Sequence, residues 1–211
     1  MDNQLPIFQE IDNYLQGKRL SEIFEKAASI LSPKYDVIAI KAITPVVFML
    51  LKRGIQYVHD TYGIVASHFI IDGDTSIQPQ FEDYDPPLIC YQPERDSIVI
   101  NYRSLGIMGD GVINRERYMS IGPIEHWGKH YCISVRDGIF LAGIEEAHHA
   151  YYIKSGESYR RYQTPEEYKN DPLELAAGKV VRQAIQKQGI QLYMLTNGHY
   201  VPCNYPEGDT L

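Results

Sequence analysis

The stretch Ile144-Glu145-Glu146-Ala147-His148-His149-Ala150 places two carboxylates one residue ahead of two imidazoles. The apolar spacing from Ile139 to Lys154 predicts one amphipathic helix around it, closed by Ser155-Gly156. On a helix, residues three and four apart share a face. Glu145 then lies beside His148 and His149, and Glu146 beside His149. The two histidines point about 100° apart, so at most one of them faces inward squarely. Carboxylate and imidazole on one face are the donors a divalent cation takes. Equally, Glu145 and His149 can form an ordinary i,i+4 hydrogen bond on a helix surface. A ligand from elsewhere in the chain is what separates the two readings.

Downstream, Thr164-Pro165-Glu166-Glu167 is a capping box with proline at the first helical position. Asp171-Pro172-Leu173-Glu174 repeats the pattern and opens a helix through Val180 and Ile185 to roughly Gln188, with Gly189 as its stop. Glu174 is the third residue of that helix, where a glutamate is favoured with or without a metal. The tail after Thr196 reads as loop.

Upstream, Ser97 to Tyr102 reads as a strand, joined through an Arg95-Asp96 turn to Leu88–Tyr91. Ile64 to Ile71 is rich in branched residues and ends at a predicted Asp72-Gly73-Asp74 turn, followed by a proline-rich loop from Gln78 to Pro93. Gly106 to Gly111 reads as a flexible connection, and Ile113 to His130 takes no assignment, although His126 and His130 have i,i+4 spacing. At the N-terminus, Leu5–Leu15 and Leu20–Leu31 carry helical periodicity, broken at Gly17 and at Ser32-Pro33. Tyr35 to Ile43 suits a short strand or connector. Thr44-Pro45 then opens a helix with Val47, Leu50, Leu51, Ile55 and Val58 on its buried face, ending near Gly63. The expected architecture is α+β: N-terminal helices, a small central sheet, and a C-terminal helix pair carrying the Glu/His cluster. One domain over residues 1–211 is expected, with a helical subdomain over 1–63 and a core over 88–190.

In register, Glu145-Glu146-Ala147-His148-His149 resembles the His-Glu-x-x-His helix of the zincin-like metallopeptidases of the gluzincin type, with Glu145 where the first histidine stands. The resemblance spans roughly Ile98 to Gln188 and rests on about six positions. It implies metal ligands Glu145, His149 and Glu174, with Glu146 as the general base acting on water. Tyr151 or Tyr152 is the expected oxyanion stabiliser, and Tyr152 is the residue taken forward. One nitrogen and two oxygens form a harder set than an ordinary zinc site, tilting the metal toward iron or manganese while still admitting zinc. A peptide or protein substrate follows from the resemblance alone. The Glu-x-x-His spacing also occurs in ferritin-like di-iron bundles, but those need two such motifs and two further glutamates. A different class fits the missing first histidine: a non-catalytic inhibitor, immunity or effector protein on a similar scaffold, presenting a tyrosine-rich acidic surface.

Composition narrows the partners. The 211 residues carry 20 Lys+Arg against 27 Asp+Glu, a net charge of -7, which argues against a general nucleic-acid binder. Asp72-Gly73-Asp74 lacks the spaced oxygens of a calcium loop, and the Gly106–Gly111 glycines do not form a nucleotide fingerprint. Cys90, Cys132 and Cys203 are widely spaced, which suits a reducing compartment. No secretory leader and no membrane-length apolar run is read, so a cytoplasmic location is expected.

Overall fold

The chain enters at helix α1 (Pro6–Gln16), which buries Ile7, Phe8 and Ile11. The computed structural model describes residues 5–16, 22–23, 25–26, 37–72, 87–125, 131–157 and 164–206. The helix expected over Leu20–Leu31, the Asp72-Gly73-Asp74 turn and the His126/His130 pair lie wholly or largely outside the described residues. Helix α2 (Val37–Tyr62) starts earlier than expected. It runs through Pro45, so 37–43 is neither strand nor connector and Thr44-Pro45 is not the helix start. Proline inside a helix removes one backbone hydrogen bond. Burial of Val47, Phe48, Leu51, Ile55 and Val58 immediately after it offsets that loss. The helix stops where Gly63 turns left-handed, at φ 77°.

Three strands follow: β1 (His68–Asp72), β2 (Ile89–Gln92) and β3 (Ser97–Asn101). They form a sheet in the order β1-β3-β2, with β1 parallel and β2 antiparallel to β3. The β2–β3 connection is the predicted tight turn, with Asp96 left-handed at φ 45°. All five residues of β3 are buried, as a central strand requires. Helix α3 (Tyr102–Ile113) replaces the flexible connection expected at Gly106–Gly111. Asn101 caps it by accepting from the Ser104 amide at 2.7 Å. Gly111 serves packing: a Cβ there would lie 2.2 Å from the Val135 side chain.

The remaining elements are β4 (Tyr118–Met119), helix α4 (Gly122–Glu125), β5 (Tyr131–Ser134), α5 (Val135–Lys154), α6 (Pro165–Lys169), α7 (Pro172–Gln188), β6 (Leu192–Thr196) and β7 (His199–Cys203). Strands β4, β5, β6 and β7 build a second, antiparallel sheet in that order. The fold is α+β, with its strands divided between two small sheets. The tail after Thr196 is a hairpin arm rather than loop. Asn197 and Gly198 both have positive φ, 51° and 79°, which is a type I′ turn.

Helix α5 begins four residues before Ile139, at a Ser134 cap that accepts from the Asp137 amide. It is buried nearly all round, including the consecutive residues Gly138 to Leu141, rather than on one face. It packs against α2, α3, α7 and β2. Against α2 the approach is backbone to backbone. A Cβ on Gly54 would lie 2.2 Å from the Phe140 carbonyl oxygen, and one on Gly143 would lie 2.6 Å from that of Leu51. One buried apolar cluster extends from Ile7 of α1 through this crossing to Leu192 of β6. No helix among the described residues is long and apolar enough to cross a membrane.

The C-terminal end of α5 is fastened to the first sheet by charge. Lys154 Nζ donates to Asp96 Oδ2 at 2.7 Å and to the Val65 carbonyl at 3.1 Å. The Ser67 hydroxyl donates to the same Asp96 oxygen, and the Tyr91 hydroxyl to Oδ1 at 2.9 Å. Burial acts to raise the Asp96 pKa, but the hydrogen bonds from Lys154, Ser67 and Tyr91 outweigh it and hold the group below its usual value. A depressed carboxylate pKa stabilises the fold above the unfolded pKa, and that contribution disappears as pH falls through the folded one. Asp96→Asn is therefore expected to lower the thermal midpoint at neutral pH. The gap to the unsubstituted protein should close as pH drops below the ordinary carboxylate range. Melting curves taken across that range check it; a gap that does not depend on pH contradicts it.

Candidate metal centre

Two capped helices bring the acidic and imidazole side chains together. Ser134 sets the start of α5, which places Glu145 and His149 one turn apart on the side facing α7. The Asp171 carboxylate accepts from the Leu173 amide at 2.8 Å and fixes the first turn of α7, where Glu174 projects. One donor atom each from Glu145, His149 and Glu174 lies within 4.8 Å of the others. The structure thus joins three residues that the sequence assigns to two separate helices.

His149 is the pivot. Its Nδ1 lies 3.3 Å from Glu146 Oε2. Its Nε2 is buried, has no hydrogen-bond partner, and stands 3.5 Å from Glu174 Oε2. The same Glu146 oxygen accepts the Tyr91 amide of β2 at 2.6 Å. Glu146 is therefore held between the edge of the first sheet and the far nitrogen of the His149 ring. That arrangement fixes ring orientation and leaves Nε2 facing the two carboxylates.

The electrostatics are those of a crowded acidic pocket. Burial pushes the Glu145 pKa up to about 8, and the charges of Glu146 and Glu174 push the same way against the opposing effect of His149. Burial alone would lower His149, yet Glu146 and Glu174 hold it well above its usual value. Without a cation, His149 carries a proton between two carboxylates and Glu145 keeps its own near neutrality. A divalent cation replaces both protons. It takes the orphaned Nε2 and relieves the repulsion between the acids, so the donor set fits such an ion.

Tyr168 belongs to this centre, although the sequence pattern did not single it out for a role. It sits on α6, the single short helix between the Thr164 and Asp171 caps. Its hydroxyl is hydrogen-bonded to Glu174. Burial first, then the nearby Glu145 and Glu174, raise its pKa far above normal, keeping it a neutral donor. Tyr152 is elsewhere: its ring lies 6.3 Å from His148, and its nearest charges are Glu157 and Asp171. Tyr151 stacks on Tyr62 at 4.5 Å. His148 is enclosed by Tyr62, Tyr151 and Tyr152, and its pKa is lowered to about 4 by burial and then by His149. It is a neutral core histidine turned away from the carboxylates. Cys90 lies within electrostatic reach of Glu146, and burial before all else pushes its thiol up to about 12, which makes it unreactive.

Two signals for the missing pieces differ in kind. Tyr168 is the one large aromatic in a five-residue helix capped at both ends, which the sequence displays. The Tyr91 amide is backbone and leaves no trace in residue identity. Comparison with protein-family models, with curated proteins and with solved structures finds no match.

Proposed function

We propose that Glu145, His149 and Glu174 bind one divalent cation and that the centre so formed is hydrolytic, acting on a peptide-like bond. The observation that carries the cation is the buried His149 Nε2, which makes no hydrogen bond and faces two carboxylates, with Glu174 Oε2 at 3.5 Å. One nitrogen and two carboxylate oxygens favour manganese or iron, with zinc also accepted. When bound, the cation would supply Lewis acidity at a position left open by only three protein ligands. The chain's own residues do the rest. Glu146 and the Tyr91 amide orient the His149 ring, and Tyr168 offers a neutral hydroxyl donor beside Glu174. Tyr168 takes the hydrogen-bonding role that the resemblance assigns to Tyr152. The peptide-like substrate rests on the zincin resemblance, which the helix pair and the antiparallel edge strand β2 beside α5 support.

One observation favours a second reading. Glu146 Oε2 accepts from the Tyr91 amide and partners the His149 ring, which suits an orienting group better than a general base. In this reading the cation stabilises an interaction protein of inhibitor, immunity or effector type, and no bond is broken. Glu146→Gln separates the two roles. An orienting Glu146 predicts metal affinity falling about 10- to 100-fold, the usual cost of losing such a partner. A general base predicts unchanged affinity with hydrolysis lost. Titration calorimetry of chelator-treated protein with Mn²⁺, Fe²⁺ and Zn²⁺, paired with cleavage of a fluorogenic peptide library, reads both. Absence of any one-site binding by the unsubstituted protein would end the metal proposal.

A further inference from the structure

At the opposite end of α5 from the Glu/His cluster, an open cleft of about 350 Å³ is lined by Gly111, Arg115, Arg117, Ser134, Val135 and Arg136. Three arginines thus line one cavity in a chain whose net charge is -7. Their surroundings differ. Arg117 is engaged by Asp110 at 2.8 Å. Arg115 and Arg136 are exposed and have no carboxylate partner among the described residues. Asp137, next to Arg136 in sequence, is turned to the Ser134 hydroxyl, from which it accepts at 2.5 Å. Glu116 shares the turn with Arg115 and Arg117 and is exposed to solvent.

The cleft is built rather than incidental. The Val135 amide donates to the Arg117 carbonyl at 3.2 Å, fastening the arginine-bearing turn to the helix that bears Arg136. At the floor Val135 packs directly on Gly111, where a Cβ would lie 2.2 Å from its side chain. Among the described residues Arg115 and Arg136 make no ion pair, so a bound anion supplies a direct partner that they otherwise lack. Guanidinium groups in a fixed fork match the tetrahedral oxygens of a phosphoryl group, in bidentate geometry where the angle allows. The positive end of the α5 dipole adds to the same field without defining the site.

The geometry points to a binding site for a small phosphate monoester, with Arg115 and Arg136 as the principal phosphoryl contacts and Arg117, anchored by Asp110, as a fixed third. The volume falls in the range of small-molecule sites and exceeds what a bare phosphate fills, so the ester's organic part occupies the remainder. The cleft does not depend on the metal centre. Ser134 and Glu145 are separated by about 16 Å along the helix axis at 1.5 Å per residue.

Titration calorimetry of the full chain in excess EDTA tests the site with phenyl phosphate, inorganic phosphate and phenol. Saturable one-site binding is expected for phenyl phosphate, weaker binding for inorganic phosphate, and none for phenol. Arg115→Gln and Arg136→Gln should each weaken phenyl phosphate about tenfold, the cost of one charge-assisted contact. The double variant should bind nothing measurable and still show the melting temperature of the parent, because neither side chain has a carboxylate partner to lose. Undiminished binding by the double variant, or no saturable binding by the parent, overturns the site. Equal affinity for phenyl phosphate and inorganic phosphate overturns the ester assignment.

Discussion

Glu145→Gln is expected to abolish the proposed cation binding while leaving the metal-free protein almost as stable as before at pH 7. The expectation follows from the state of this side chain. With its pKa at about 8, Glu145 is mostly protonated at neutral pH in the absence of metal, and a glutamine amide is close to it in shape and charge. Folding barely registers the exchange. A cation does, because it loses one of two anionic oxygens. The affinity loss is expected to be at least about a hundredfold, exceeding the usual cost of removing a group that merely orients a ligand. His149→Ala is a blunter probe, since it also strands Glu146 and Glu174 without their imidazolium and destabilises the fold. The pH dependence has a definite sign. Protons compete with the cation at both Glu145 and His149, so affinity in the unsubstituted protein rises with pH through about 8, and uptake releases protons. Calorimetry in buffers of different ionisation enthalpy counts them. Full-affinity binding by Glu145→Gln would remove this residue from the ligand set.

Gly54→Ala should destabilise the protein by about 3 kcal/mol or more, lowering the thermal midpoint by about 10 °C. On an open helix surface the same change would stabilise by nearly 1 kcal/mol. Here the added methyl would sit 2.2 Å from the Phe140 carbonyl oxygen, and backbone on both helices would have to move. Gly178→Ala on α7 is the matched control. Its nearest neighbour is the Arg182 guanidinium at 3.3 Å, the movable end of a flexible side chain. That substitution should be neutral or slightly stabilising. Equal effects at the two positions would contradict the close approach of α2 and α5.

Local punctuation carried much of this fold into the sequence. Thr164-Pro165 and Asp171-Pro172 mark helix starts that the structure reproduces, with Thr164 accepting from the Glu167 amide at 3.2 Å and Asp171 from Leu173. The Arg95-Asp96 turn is equally local. The signals that misled were those overridden by packing. Gly106, Gly109 and Gly111 suggest flexibility by composition, yet all three are buried in a helix, and Gly111 packs against Val135. Pro45 suggests a helix start, yet buried side chains on both sides of it hold the helix together. Asn197-Gly198 is a readable hairpin signal, flanked by Leu192–Thr196 and His199–Cys203, and only reading it with both flanks reveals the strands. In the candidate centre, helical spacing made the shared face of Glu145 and His149 legible, and the zincin resemblance pointed to Glu174. The part played by Glu146 was not legible, because it depends on a backbone amide from a strand distant in sequence.

The Gly54–Gly143 crossing also sets a scale for the placement of Glu145 and His149. Helices that meet through long side chains can slide past one another by small repacking steps. Where a carbonyl rests in a gap left by a missing Cβ, sliding by one turn would present Ile139 or Ala147, each with a Cβ, to that gap and is blocked in either direction. The crossing therefore fixes the position of α5 along α2, just two residues before Glu145. The height of the donor atoms above the first sheet is thereby set by main-chain geometry, independently of whether any ion is present to gather them.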